Sequence, residues 1–292
     1  MKNLGDEFKY FYFASILMIL IGQTVQAFKG LGCEHIIRLA KSLGIESCEI
    51  NPQGVNLENK DKIIEAVGSM KTTFHLPVEG IEGFDFAYPE KEKEIQDIIK
   101  LINDHRNDLN IILGVFHPVE THGNLETLLK NLKQLKIPLV VENIQLTSDE
   151  EFIEAYSLFK RELGDQLKGW LFDVAHSYLR NGPEKYLDLL DKMPFDELEE
   201  IHLSDCTENE DSHYSFGAGV LPAKQILREI KKRGFRKIIV NEIDAYPSVW
   251  SAIDSYIQVA KVFKKQLYFK VVARKLFVKP LVQKKLKKAN IT

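Results

Sequence analysis

From about residue 14 onward, short runs rich in Val, Ile, Leu and Phe alternate with longer stretches whose apolar residues recur at helical spacing. The short runs predict strands near 14–21, 45–50, 71–76, 111–116, 138–142, 168–173, 198–203 and 237–243. Helices are predicted near 33–43, 58–67, 90–106, 124–135, 149–162, 183–191, 222–233 and 248–263. Pro183 and Pro222 suit first turns, and Ser148-Asp149-Glu150-Glu151 reads as an N-cap with an acidic opening. Gly44, Gly164 and Gly234 mark helix ends. Eight strand-then-helix units in about 250 residues predict an α/β fold of the (β/α)₈ barrel type.

The expected organisation is one barrel over residues 1–263 and a basic C-terminal tail over 264–292. The 292 residues, 45% apolar and 28% charged, exclude collagen, coiled coil, a disulfide scaffold and wholesale disorder. Cys33, Cys48 and Cys206 are odd in number and far apart, which suits a reducing, cytoplasmic setting and excludes a cysteine zinc knuckle. Tyr10–Ile21, interrupted only by Ser15, is too short to span a bilayer, so no membrane span is expected. It has the length of a signal-peptide core, with Val25-Gln26-Ala27 a passable cleavage site, but Asp6 and Glu7 cancel Lys2 and Lys9. Removing residues 1–27 would also delete a strand from the count of eight, which favours the strand.

Charge divides the chain unevenly. The net charge is −3, yet residues 261–292 hold 11 Lys/Arg and no acid. The remainder therefore carries 28 basic against 42 acidic residues, a balance of −14. A surface-packed or disordered appendage is one expectation for the tail. A basic patch for nucleic acid, anionic lipid or a protein partner is the other.

In a barrel of this kind the active site lies at the C-terminal ends of the strands. His75 ends the third strand, His117 the fourth and Glu142 the fifth. Asp173 and His176 follow the sixth, and His202 ends the seventh. A loop then supplies Asp211 and His213, and Glu242 ends the eighth strand. Each alone has a plain structural reading, as a buried histidine or a surface ion pair. Together, five of the eight histidines and four carboxylates face one mouth, and burying four carboxylates side by side demands compensating positive charge. Divalent metal ions supply it. Imidazole and carboxylate without thiolate suit zinc, with manganese, cobalt or iron as alternatives, and nine ligands suffice for two or three ions.

These residues resemble the xylose isomerase-like barrels, which include endonuclease IV-type abasic-site nucleases and many sugar isomerases and epimerases. The resemblance covers roughly residues 14–263. Its anchors are Phe116-His117-Pro118, Glu142-Asn143, Asp173-x-x-His176, His202-Leu203-x-Asp205, Asp211-x-His213-x-x-x-Gly217-x-Gly219 and Glu242. On the nuclease pattern, His75 and His117 would hold a first zinc, which Glu142 bridges to a second completed by Asp173, His202 and Glu242. His176, Asp211 and His213 would hold a third. On the isomerase pattern, Glu142, Asp173, His202 and Glu242 hold one ion, and Glu142 and Glu242 serve as acid and base.

The nine filled positions lead to a first expectation of a metal-dependent phosphoester hydrolase, with abasic-site DNA among the candidate substrates. A sugar or sugar-phosphate isomerase or epimerase is the alternative, and a non-catalytic barrel that docks a partner the third reading. Two loops depart from the nuclease pattern. Asn51–Leu57 lacks Lys and Arg, and Val78–Pro89 carries Glu79, Glu82 and Asp85, an acidic rim that repels a phosphate backbone. DNA binding would then fall to the tail. No G-x-S-x-G elbow, Walker loop or dinucleotide fingerprint is present. Gly217 and Gly219 are expected to let the backbone pass close to the metals. His35, His105 and His122 are assigned to surface or core.

Overall fold

The computed structural model of the chain describes residues 19–28, 31–120, 122–243 and 248–288. Eight parallel strands form a closed barrel in sequence order, with β8 returning to pair with β1. They are β1 Leu20–Thr24, β2 Ser47–Ile50, β3 Lys71–His75, β4 Ile111–Phe116, β5 Leu139–Glu142, β6 Leu167–Asp173, β7 Leu198–Leu203 and β8 Ile238–Asn241. The helices, in chain order, are α1 Cys33–Leu43, α2 Lys60–Val67, α3 Glu79–Glu82, α4 Glu92–His105, α5 Leu125–Leu132, α6 Asp149–Leu163, α7 Val174–Asn181, α8 Leu189–Lys192, α9 Ala223–Lys232, α10 Val249–Phe263 and α11 Lys265–Lys288. None is long and apolar enough to cross a membrane.

The predicted punctuation works where a side chain or backbone angle enforces it. Ser148 caps α6 through a capping box, its hydroxyl accepting from Glu151 N–H while the Glu151 carboxylate accepts from Ser148 N–H at 2.7 Å. Gly44 ends α1 at φ 86°, a left-handed conformation open to glycine at little cost. Pro222 stands one position before α9.

Two expectations change. The first strand runs over Leu20–Thr24 instead of 14–21, and residues 14–18 lie outside the described residues. Its register is set by pairing, Gly22 opposite Ser47 and Leu20 opposite Ile238, and not by where the apolar run begins. The helix after β6 is not at 183–191. It starts directly from the strand as α7, because Asp173 is its N-cap and accepts from His176 N–H at 2.6 Å. Gly182 ends it at φ 75°, so Pro183 follows a helix instead of opening one. Only α8 is α-helical in the predicted span.

Strand alternation divides the side chains into two apolar cores. The larger lies between strands and helices and contains Phe74, Phe116, Trp170 and Phe172. The smaller, Leu113, Val115, Val140 and Leu171, fills the barrel interior on the β4–β6 side. The tail forms α11, with Pro280 inside it, and packs against α1 and α10. Leu267 and Val271 are buried, Lys275 pairs with Asp254, and Phe269, Leu276, Phe277 and Leu281 face outward.

Candidate metal centre

All nine predicted ligands converge on the mouth at the C-terminal ends of the strands. Glu142, at the end of β5, is the hub and is fully buried. Its Oε2 lies 3.0 Å from His75 Nε2 and 3.4 Å from His117 Nε2. Its Oε1 lies 3.4 Å from His176 Nδ1 and 3.5 Å from His202 Nδ1. The same His202 atom is 3.1 Å from Glu242 Oε2. His176 Nε2 meets Asp211 Oδ2 at 2.9 Å, and His213 Nε2 meets the same oxygen at 3.2 Å. Ligand atoms of Glu142, Asp173, His202 and Glu242 lie within 4.8 Å of one another, as do those of His75, His117 and Glu142.

Local structure explains the convergence. α7 begins at the end of β6, so Asp173 caps the helix while His176, on its first turn, sits over the mouth with Nδ1 against the Asn143 carbonyl at 2.9 Å. Asp205, just after β7, accepts from the backbone N–H of Cys206, Gly217 and Leu221. That cradle ties down the loop carrying Asp211 and His213, and His213 itself adopts a positive φ of 43°. Gly217 and Gly219 pack around Asp205, and the Gly217 N–H donates to its Oδ2 at 2.7 Å. A Cβ at Gly219 would meet the Cys206 carbonyl oxygen at 2.2 Å and Asp205 Oδ1 at 2.5 Å.

Without an ion, the histidines carry the compensating charge. Burial opposes charging them, but Glu142 raises His75 to about 10, and Glu242 with Asp211 raises His213 to about 10. His176 and His202 are held well above the ordinary imidazole range against the same burial, the first by Asp173 and Asp211, the second by Glu49, Glu242 and Glu142. Burial pushes Glu142 and Glu242 upward, yet His202 and its neighbours outweigh it and leave Glu242 at about 2 and Glu142 well below the carboxylate range. Asp173 goes the other way. Burial, opposed by His176 and reinforced by Glu142, pushes it up to about 7.

The donor set fits a divalent cation. Glu142 Oε1, Asp173 Oδ2, His117 Nε2 and Asp211 Oδ1 are buried without hydrogen-bond partners, as expected of atoms that would otherwise ligate an ion. Glu142, Asp173, His202 and Glu242 would hold one ion, and the two outer sets offer places for others.

A cavity of about 430 Å³ opens above the cluster. Its described lining includes Glu49, Glu82, Glu120, Asp211 and Glu242, and four amides, Gln26, Asn51, Gln53 and Gln145, but no Lys or Arg. Of the three acids expected at the rim, Glu82 lines this cavity and Asp85 is buried. Burial, reinforced by Glu120 and Glu79, pushes Asp85 up to about 6. His122 lies outside the cluster, exposed and bonded to Glu79 Oε1 at 2.7 Å, and His35 and His105 pair locally with Glu34 and Asp108.

Sequence reasoning missed three carboxylates. Glu120 accepts from His117 Nδ1 at 2.8 Å when that nitrogen carries hydrogen. Glu49 on β2 and Glu200 on β7 lie inside the barrel below His202, both buried. The one signal for Glu200 was its position two residues before His202, which places both on one strand face.

The model of the xylose isomerase-like TIM barrel family matches residues 37–266. Among characterised relatives, fructoselysine 3-epimerase of Escherichia coli O157:H7 is 24% identical over 232 residues, covering 70% of this chain and 83% of that protein. A D-tagatose 3-epimerase-like protein superposes with a TM-score of 0.60 at 16% identity, covering 86% of this chain and 99% of the other. A family 2 AP endonuclease from Brucella melitensis does so at 0.58 and 16% identity, covering 80% and 96%. These relatives are named as enzymes, as expected here, and both branches foreseen from the sequence are among them. The chain belongs to the xylose isomerase-like TIM barrel family.

Proposed function

We propose that the protein is a divalent-metal-dependent epimerase or isomerase of an unphosphorylated sugar. This reverses the order in which the sequence ranked hydrolase and isomerase. The observation that carries it is the placing of Glu142 and Glu242 in one four-ligand group beneath a cavity that offers no Lys or Arg among its described lining. A phosphate, and still more a DNA backbone, would find counter-charge only at the ion and would meet Glu82, Glu120 and Asp211 elsewhere along the described lining. A neutral sugar would meet amides able to donate to and accept from its hydroxyls. The characterised relative being an epimerase supports the same reading.

When bound, the ion supplies the positive charge that polarises the substrate carbonyl and acidifies the adjacent carbon. Glu142 and Glu242, both held ionised, are bases near that carbon. One removes the proton as electrons move toward the carbonyl oxygen. The other, after taking a proton from solvent water, delivers it to the opposite face, and the first returns its proton to solvent, so the centre is inverted with no net change in atoms. Gln26, Asn51, Gln53 and Gln145 orient the remaining hydroxyls, and Ile81 and Leu146, at the lip, screen the reacting carbon from water.

The assay is a panel of free ketoses, their phosphates and abasic-site DNA, each with manganese-, cobalt- or zinc-loaded protein. Epimer or isomer should form from free sugar alone. Cleavage of the DNA or a simple phosphodiester, with no sugar interconverted, would overturn the proposal. One observation favours that second reading, a phosphodiesterase with up to three ions. The outer sets His75–His117 and His176–Asp211–His213 are assembled as well, beyond the needs of one ion.

A further inference from the structure

Below the mouth, His202 has a second face. Its Nδ1 is turned to Glu142 and Glu242, and its Nε2 points down into the barrel. There Nε2 lies 3.3 Å from Glu49 Oε2 and 3.8 Å from Glu200 Oε1. Both carboxylates are at most 1% exposed, and among the described residues His202 is the ion-pair partner of each. Two carboxylates buried against one imidazole are costly to keep, and neither closes a structural ion pair with Lys or Arg. Glu49 is also held in place. Thr24 and Thr73 stand directly beside it on β1 and β3, and their hydroxyls donate to Oε1 at 3.3 Å and Oε2 at 3.2 Å.

We propose that Glu49, with Glu200 beside it, is the positioning residue for His202. An imidazole that gives one nitrogen to a cation must carry its hydrogen on the other, and a carboxylate facing that hydrogen fixes the tautomer and strengthens the ligand. Here the two roles fall on opposite sides of one ring. Nδ1 belongs to the four-ligand group, and Nε2–H belongs to Glu49. The Thr24 and Thr73 hydroxyls keep the Glu49 carboxylate from turning away. A second ion beneath the ring is a weaker explanation, since with Nδ1 ligated Nε2 could bind it only by losing its last hydrogen.

The assignment rests on the metal reading above, so the experiment separates the two. Metal-free full-length protein is titrated with Mn²⁺ by calorimetry, and bound ions are counted by elemental analysis, for wild type, Glu49→Ala, Glu49→Gln and Thr73→Val. Glu49→Ala should bind about 10–100-fold more weakly with unchanged stoichiometry. Glu49→Gln, which keeps a neutral acceptor of the same shape, should fall between it and wild type, and Thr73→Val should be nearest wild type. In the zinc-loaded protein, long-range ¹H–¹⁵N spectra should place the His202 hydrogen on Nε2, with its resonance shifted downfield by the Glu49 carboxylate in wild type and less so in Glu49→Gln, the variant that carries the test if Glu49→Ala does not fold. Affinities of both Glu49 variants within twofold of wild type would overturn the assignment, even with lowered thermal stability. So would the loss of a whole ion, which would make Glu49 a ligand. A wild type that binds no divalent ion would remove the metal reading and this one together.

Discussion

The barrel interior has two unlike halves. On the β4–β6 side Leu113, Val115, Val140 and Leu171 pack as an apolar plug. On the β1–β3 and β7 side the same layers hold Thr24, Glu49, Thr73, Glu200 and His202, all buried. Strand register makes the layers equivalent, with Thr73 opposite Leu113 and Glu200 opposite Leu171. The apolar half stabilises by burial, roughly 25 cal/mol per Å² of surface removed from water. The polar half costs stability, and its cost is offset only through His202 and what His202 holds. Stability is thus assigned to the interior layers of β4–β6 and chemistry to the strand ends above both halves, where β5 and β6 supply Glu142 and Asp173. Substitutions in plug and mouth should therefore fail in different ways.

The largest effect is expected at the mouth. Glu142→Gln and Glu242→Gln should each lower kcat by about 10²–10⁴-fold. Glu142→Ala and Asp173→Ala should also lower metal content, because each removes a ligand and its charge. Circular dichroism should stay near wild type. Full activity with wild-type metal content in these variants would abolish the distinction between mouth and plug.

In the apolar plug below the mouth the outcome should invert. Leu171→Ala, at a fully buried position, should cost about 2–5 kcal/mol of unfolding free energy. The surviving folded protein should retain its metal and most of its kcat, as urea melts and assays on one preparation would show. Chelation adds a measure of the same kind. Removing the ion should lower the unfolding free energy by about 2.7 kcal/mol relative to protein in a hundredfold excess over Kd.

Much of this contrast was legible in the sequence and some was not. His75, His117, Glu142 and His202 stood out because ligand-type residues closing apolar runs are conspicuous, and fold topology then gathers them at one mouth. Glu49 and Glu200 were hidden because each sits mid-strand near a second carboxylate, Glu46 or Glu199, and reads as ordinary polar alternation. Only closing the barrel brings β2 and β7 to the same imidazole. α7 was missed for a related reason. Asp173 was read as a ligand, which concealed that it also caps a helix. The tail's charge was plain in the composition, but not that Leu267 and Val271 would bury it against α1 and α10.

Smaller effects should follow from pH in the metal-free protein. His75 and His213 are raised to about 10, so the stability they contribute is full below about 6.5 and is lost as pH rises toward 10. Asp173, raised to about 7, acts in the same direction. Glu242, lowered to about 2, contributes above about 4.5 and loses that contribution as pH falls through 2. Metal-free protein should therefore be most stable near pH 4.5 to 5, losing stability as Asp173 ionises toward pH 7 and then as the histidines deprotonate toward 10, as urea midpoints at pH 5, 8 and 9.5 would show. Metal affinity should run oppositely and rise with pH, since the histidines must release protons to ligate. Affinity flat from pH 6 to 9 would mean that these imidazoles do not take part.

Whether Glu142 and Glu242 move a proton at carbon decides between the two chemistries of the site. Metal-loaded protein incubated with a free ketose in D₂O should place deuterium at the carbon beside the carbonyl, as read by mass spectrometry. Each of Glu142→Gln and Glu242→Gln should lose interconversion and should keep exchange only with the epimer whose proton faces the remaining carboxylate, and the double variant should place no label. Interconversion of sugars without deuterium, or no exchange in a protein that instead cleaves phosphodiesters, would contradict the proposed proton transfer.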